Sequence, residues 1–596
     1  MNRHRHLHHL LLLFSLCLTT QSLIAQHQLY DRLYSQKTGT SLAVTAMSET
    51  LPSSGYLAVR VNARNGEKYP VSWSFNFTSK DHSWDDSNRL TSSFSLSCEA
   101  GRQKNVEFLV PLVTAIHSES PLLLELSISG SPPLSGSHVE MQSDQNHNWP
   151  CILMSETLDT PNSGPLDAAI SGTSRYGSNS DFGGKFLPKN LTEDWRGYHG
   201  FDVIMLTSED WRKVSPGAKN AILKWNRLGG RLIIYRSQPS ISFSTLGIEG
   251  KQSDPNKMIR TWGSIELLTL PTTSALLDAT FTVNLIKKGQ LAPQATIFGN
   301  ELTSSWPLQY TFGQRSFNPV FFILILIAFG IIVGPINLFV FAKTGQRHRL
   351  FLTTPLISLV ASALLLIIII FQDGFGGKGH RLVLIEVQPK ENTAFIMQQQ
   401  IARTGVLLKT SFNTKENTII SPVALDQSRW ARITPNNAGG ESRYRINFED
   451  KNNLSLTGDW YKSRSEYGHL ITSVQSTRGR LELLSSTAQP TIASTFDFPL
   501  KKIYYLDSNG TIWQSSTPLK SGHKTELNLC QPEDYKDWLK KQKQNLNPDS
   551  KTRLDLVKNR QGHFIAIAEE GPFIDSLPSL HWQESTALIT GPLVIQ

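Results

Sequence analysis

Two long uncharged apolar runs dominate the hydrophobic pattern. No charged residue occurs between Arg315 and Lys343, a gap of 27 residues, and none between Arg349 and Asp373, a gap of 23. A membrane-crossing helix needs about 20 largely apolar residues, so both runs are long enough to span. The pattern predicts transmembrane helices over 319–342 and 352–371, joined by a turn over 343–351. That turn carries Lys343, Arg347, His348 and Arg349. Short basic loops stay in the cytoplasm, so these cations determine a topology with both flanking regions outside the inner membrane.

Away from the hairpin the period changes to two. Over 27–148 apolar and polar residues alternate in short runs (TSLAVTA from Thr40, GYLAVRVNAR from Gly55, VSWSFNFT from Val71, NVEFLVPL from Asn105), separated by turn-forming residues. This predicts an immunoglobulin-like β-sandwich, without the Cys and Trp spacing of antibody domains. The turn KDHSWDDSN, with Asp81, Asp85 and Asp86, lacks the glycine and terminal glutamate of a calcium loop and reads as a hairpin tip.

The segment 149–314 is expected to be an α/β domain followed by a membrane-proximal stretch. A Gly/Ser/Pro-rich part from Ser155 to Gly184 reads as loop. Phe201–Leu206 is apolar except for Asp202, as suits a strand buried on both faces. Ser215 and Pro216 can open a helix, and Gly229 with Gly230 can close it. Ala218, Ala221, Ile222, Trp225 and Leu228 give that helix one apolar stripe. The strand Arg231–Tyr235 completes a parallel strand–helix–strand unit. ATFTVNLI, from Ala279, reads as a further strand.

YHGFDVIML followed by AILKWNRLGGRLIIY resembles the pattern of class I glutamine-amidotransferase-like domains. More narrowly it is similar to degenerate copies in uncharacterised bacterial membrane-anchored proteins, whose G-P-[LI]-N opening and Thr-Pro-rich second span resemble GPINLFVFAKTGQRHRLFLTTPLISL here. The resemblance implies a flavodoxin-like domain and no defined activity. The catalytic form needs a nucleophilic Cys on a tight turn with a His to activate it. Neither is visible, since RSQPSISFS follows the Arg231–Tyr235 strand and Cys151 opens an apolar run. Tyr198, His199 and Asp202 remain a possible ligand crevice at the strand ends. The competing reading makes Trp195, Tyr198 and Trp225 packing aromatics.

Within the first span Gly330 and Gly334 form a small-xxx-small pair followed by Asn337, suited to helix packing against Thr354, Ser358 and Ser362 of the second span, or to a dimer. Neither span carries a charged residue, which argues against an ion path. Residues 372–381 read as a Gly-rich linker, and 382–596 as a C-terminal β-rich domain. In that domain Asn509-Gly510 marks a hairpin and PEDYKDWLKKQKQN a short helical insertion. The expected class is a multidomain α+β membrane protein.

Composition adds bounds. The start, MNRHRHLHHLLLLFSLCLTTQSLIA, reads as a signal peptide over 1–25, with an uncleaved anchor as the alternative because Leu23 is large for its place. His4, His6, His8 and His9 fall inside it and suggest no metal site. Its removal takes Arg3 and Arg5, so the net charge of +9 becomes +7, spread without a basic cluster. No nucleic acid is expected as partner. Cys98, Cys151 and Cys530 are too sparse for a disulfide framework or a metal pair and read as buried thiols. No cofactor is expected. The partners expected are membrane lipid and other membrane or envelope proteins. The function expected is that of a non-catalytic envelope protein or accessory subunit; the alternative is an envelope hydrolase or amidotransferase, with Ser237 and His199 as its candidate pair.

Overall fold

The computed structural model describes residues 27–595 of the 596-residue chain, apart from 82–87, 115–121, 132–136, 144–148, 172–182, 251, 272–274, 299–304, 314–319, 342–343, 416, 427–430, 432–441, 451–452 and 486–488. The expected signal peptide, Asp85, Asp86 and Lys343 lie outside the described residues. Asp81 is buried at the end of a strand.

The N-terminal strands His27–Ser35, Thr40–Ala46, Tyr56–Arg64 and Gln103–Pro111 form a four-stranded antiparallel sheet. Its alternating inward residues, among them Leu42, Val44, Val59 and Val61, are buried as period two requires. The facing sheet corrects the expected boundary. Val71–Asp81, Asn88–Cys98, Leu122–Ser131 and Ser137–Ser143 supply four of its seven strands; Phe412–Lys415, Ser442–Asp450 and Asn453–Gly458 supply the other three. Asn88–Cys98 pairs in parallel with Ser442–Asp450, and Phe94 lies 5.0 Å from Phe448. The sandwich is therefore not contained within 27–148, and part of the region 382–596 belongs to it. An unpaired strand edge takes whichever partner the fold brings to it, and a local reading cannot see that choice.

The middle region holds a seven-stranded sheet. Five strands are parallel, and numbered by sequence they lie in the order 2-1-3-4-5: Gly183–Phe186, Ile152–Ser155, Val203–Thr207, Arg231–Arg236 and Gly263–Thr269. Two short antiparallel strands complete the edge. The helix Pro216–Arg227 begins at Ser215, whose hydroxyl accepts the Ala218 N–H at 3.2 Å, and its predicted apolar stripe is buried. Two expectations are overturned. Glu156–Ser171, read as loop, is a helix whose Leu158, Asn162, Leu166 and Ile170 face the core despite Pro161 and Pro165. Ala279–Lys287, read as a strand, is a helix capped by Asp278, which accepts the Phe281 N–H at 2.8 Å; the cap and the inward Val283 and Ile286 outweigh its β-branched composition.

Two helices, Phe322–Phe341 and Arg347–Ile368, are long and apolar enough to cross a membrane, and almost none of either is buried within the protein. The first passes from α-helix to π-helix at Ile332, ahead of Pro335, and the second continues to Asp373. The residues beyond it are not a linker. Gly376 has φ of 76°, and the strand Gly377–Gln388 pairs with both Thr393–Thr404 and Leu580–Pro592. The glycines admit close neighbours, since a Cβ on Gly379 would lie 2.4 Å from the Trp582 ring.

That strand lies inside a twelve-stranded sheet built from residues 377–595. Lys502–Leu506 and Ile512–Ser515 pair across Asn509-Gly510 as expected, with Gly510 at φ of 87°. The helical insertion is a pair of helices, Pro532–Lys543 and Pro548–Val557, the second of which the sequence reading missed. One core runs from Met47 through the parallel sheet to Leu588, and a second joins Leu29–Met141 to Ala402–Leu580. The chain before the hairpin and the chain after it make one body.

Candidate functional site

A cavity of about 170 Å³ lies where the parallel sheet meets the Pro548–Val557 helix. Asp202, His199, Arg231, Trp262, Lys287 and Arg553 are among the residues lining it. It is small against the ~300–1,000 Å³ of ordinary ligand pockets. It also sits at the amino ends of the parallel strands, beside Val203, Arg231 and Gly263. Open α/β sheets usually bind ligands at the opposite, carboxyl ends. Of the residues expected to form a crevice, His199 and Asp202 line this cavity, at the edge opposite to the one expected.

Asp202 is placed by the turn Trp195–Tyr198, which Asp194 caps by accepting the Arg196 N–H at 2.9 Å. One carboxylate oxygen of Asp202 accepts the Cys151 N–H at 2.8 Å and the other the Gln294 N–H at 2.9 Å. Its own backbone joins Cys151 and Arg231, so a single residue ties together the starts of two strands and the turn at Gln294. Withdrawal from solvent pushes its carboxyl up to about 7, against the opposing pull of the two N–H donors.

His199 is 6% exposed and meets the Trp195 ring edge-on at 6.0 Å. Among the described residues its imidazole has no hydrogen-bond partner. Burial and the nearby Arg553 guanidinium push its pKa down to about 4, so it is neutral at pH 7. Gly55 and Gly200 let the N-terminal sandwich close over it, since a Cβ on Gly200 would lie 2.2 Å from the Ser54 carbonyl oxygen.

The cavity's two arginines are occupied. Arg231 makes a two-pronged pair with Glu266 at 3.0 and 3.1 Å. Arg553 donates to Asp549 at 2.7 Å and to the Leu228 carbonyl at 2.6 Å, with its guanidinium 5.5 Å from the Trp262 ring centroid. Tyr198 does not line the cavity. It is wholly buried, its hydroxyl donates to the Thr192 carbonyl at 2.7 Å, and burial raises its pKa well above the usual phenol value. It is a packing residue, as is Trp195, whereas Trp225 both packs and reaches the cavity.

Ser237 and His199 cannot work together. Ser237 follows the carboxyl end of the Arg231–Arg236 strand, where it donates to Glu209 at 2.8 Å; His199 lies at the amino end. Six residues at ~3.3 Å each separate the two levels. Cys98, Cys151 and Cys530 are all buried, and among the described residues they form no disulfide. Glu125, His138 and Glu140 bring one ligand atom each within 4.8 Å on an edge of the sandwich. Lys80 pairs with Glu125 there, and His138 lies 3.1 Å from Glu140.

In the hairpin Asn337 is fully buried. It donates to Thr354 at 3.0 Å and accepts from Thr353 at 2.6 Å. Gly330 and Gly334 do not share this contact, because a Cβ on either would meet nothing within 4 Å. The helix turns that face away from the second span. Arg347 and Arg349 are exposed in the turn between the spans.

Sequence reasoning missed Arg553, Trp262 and Lys287. Gly229-Gly230 and Asp202 were legible, but no local pattern connects them with an arginine more than 300 residues later.

No family model and no curated protein matches the chain. Among solved structures, the sporulation control protein Spo0M from Bacillus subtilis shares 10% identity over 17% of this chain and 47% of its own, with a TM-score of 0.12. A Paenibacillus cycloisomaltooligosaccharide glucanotransferase shares 11% over 36% and 30%, with a TM-score of 0.16. A β-glucosidase from Kluyveromyces marxianus shares 8% over 79% and 45%, with a TM-score of 0.10. The chain spans less than half the length of each. At these scores the likenesses carry no argument, and they lend the amidotransferase-like resemblance no support.

Proposed function

We propose that this protein is a non-catalytic, membrane-anchored envelope protein: a two-span hairpin holds a single extracytoplasmic body that presents binding surfaces to partner proteins or small ligands. The observation that carries the reading is the continuity of the body across the hairpin. Residues before 314 and after 376 share a sheet and two cores. A hydrogen-bonded sheet cannot be assembled through a bilayer, so both flanks belong on one face. Exposed Arg347 and Arg349 in the turn favour the cytoplasm for the turn and the outside for the body.

The middle unit supports a flavodoxin-like assignment through its 2-1-3-4-5 strand order. The placement of Ser237 and His199 at opposite ends of the Arg231–Arg236 strand supports binding over hydrolysis. The open face at Gly330 and Gly334 suits contact with another membrane helix, as an accessory subunit requires.

Topology reporters test the reading. Alkaline phosphatase fused after Gln596 is expected to be active, and green fluorescent protein fused after Gly345, in the turn, to fluoresce. Fluorescence from a fusion after Gln596 would reverse the orientation and remove the extracytoplasmic function.

A further inference from the structure

The end of the second span is stitched to a loop far along the chain. The Val406 N–H donates to the Gly374 carbonyl at 2.8 Å, the Gly376 N–H to Val406 at 3.0 Å, and the Gly405 N–H to Gly376 at 2.7 Å. Arg464 donates its backbone N–H to Gly405 at 2.9 Å and pairs through its guanidinium with Asp373, the last residue of the helix, at 2.6 Å. These contacts hold the 405–411 loop at the level where the chain leaves the apolar span.

Leu408 in that loop is 89% exposed, and Phe375 beside it is 63% exposed. Large apolar side chains so open to water are ordinarily scattered singly on a soluble surface. Here they adjoin a segment that itself requires lipid. Phe375, Val406, Leu408, Leu577 and Pro578 line a small pocket of about 220 Å³, and exposed Lys409 stands at its rim. Tyr310, 60% exposed shortly before the first span, adds an aromatic residue of the kind that gathers at the membrane–water boundary.

We propose that the 405–411 loop is a second membrane contact, inserting Leu408 beside Phe375 into the leaflet next to the folded body and seating a lipid acyl chain in the pocket between them. The inference rests on the membrane-anchored reading above. Leu408 and Phe375 enter the apolar layer while Lys409 reaches the phosphate level, the division expected of an amphipathic surface at an interface. Together with the rigid stitching to Gly374 and Gly376, this contact fixes the tilt of the body over its anchor.

The test uses the full chain in phosphatidylcholine–phosphatidylglycerol vesicles containing nitroxide-labelled lipid. An environment-sensitive fluorophore is placed at Leu408→Cys, at Leu529→Cys on the strand Lys524–Leu529, five strands across the sheet from Gly377–Gln388, and at Ile367→Cys in the second span. Of the four native cysteines, Cys98, Cys151 and Cys530 are buried and Cys17 is replaced by Ser in every variant, so the labelled Cys17→Ser parent gives the background. The expected result is strong quenching and a blue shift at positions 408 and 367, with neither at 529. Quenching at 367 with position 408 behaving like 529 would overturn the loop insertion and leave the anchor intact. No quenching at 367 would overturn the anchor itself, and the insertion with it.

Discussion

At the scale of single residues, two titratable groups in one cavity pull stability in opposite directions. The Asp202 carboxyl, raised to about 7, binds more protons in the folded than in the unfolded protein as pH rises from about 4 to about 7. Its contribution therefore falls as pH rises. The His199 imidazole, lowered to about 4 from 6.5, binds fewer protons when folded, so its contribution rises with pH between about 4 and 6.5 and is complete above that window. Each masks the other in wild type. Asp202→Asn leaves the histidine alone, and its melting temperature is expected to climb with pH across that window relative to wild type. His199→Gln leaves the carboxyl, and its melting temperature is expected to decline. Thermal melts of the detergent-solubilised protein between pH 4 and 7 check both, and parallel curves for all three proteins would refute the assignment.

At the scale of elements, the hairpin and its neighbours show how much rests on partners rather than on propensity. The Asn337 amide joins the two apolar helices through Thr353 and Thr354. A double-mutant cycle of Asn337→Ala with Thr354→Val is expected to give a coupling energy of about 0.6–1.7 kcal/mol, the range of hydrogen bonds between membrane helices. Unfolding in bicelles measures it, and a coupling near zero would mean that the contact contributes nothing. Gly330→Ala is expected to leave hairpin stability unchanged, since its Cβ enters open space. Loss of hairpin stability in that variant would place the glycine in the inter-span contact after all.

At the scale of the whole molecule, the body is closed by pairings between parts of the chain that lie on either side of the apolar hairpin. The Arg227 and Arg260 side chains reach Glu391 at 3.1 and 3.2 Å, and Arg553 holds the end of the Pro216–Arg227 helix. A protease site inserted between Gly345 and Gln346 therefore severs the chain without severing the protein. After cleavage in mild detergent the two fragments are expected to elute together and to part only on denaturation. Separation under native conditions would show that the shared sheet and cores do not hold.

The sequence alone determined the features whose cause is local. Charge-free length specified the hairpin; Ser215, Pro216 and the Gly229-Gly230 pair bounded a helix; Asn509-Gly510 specified a turn; and continuous apolar runs marked the buried parallel strands. Each depends on residues within a few positions of one another, where helix caps, backbone dihedrals and hydrophobic period act. Tertiary structure alone decided the rest. It chose Ser442–Asp450 as the partner of Asn88–Cys98, turned the glycines after Asp373 into a strand rather than a linker, and set Arg553 beside His199. It also directed Gly330 and Gly334 away from the second span. Those outcomes come from surfaces meeting across hundreds of residues, where the free energy lies in complementarity between distant segments and leaves no period or motif in either one.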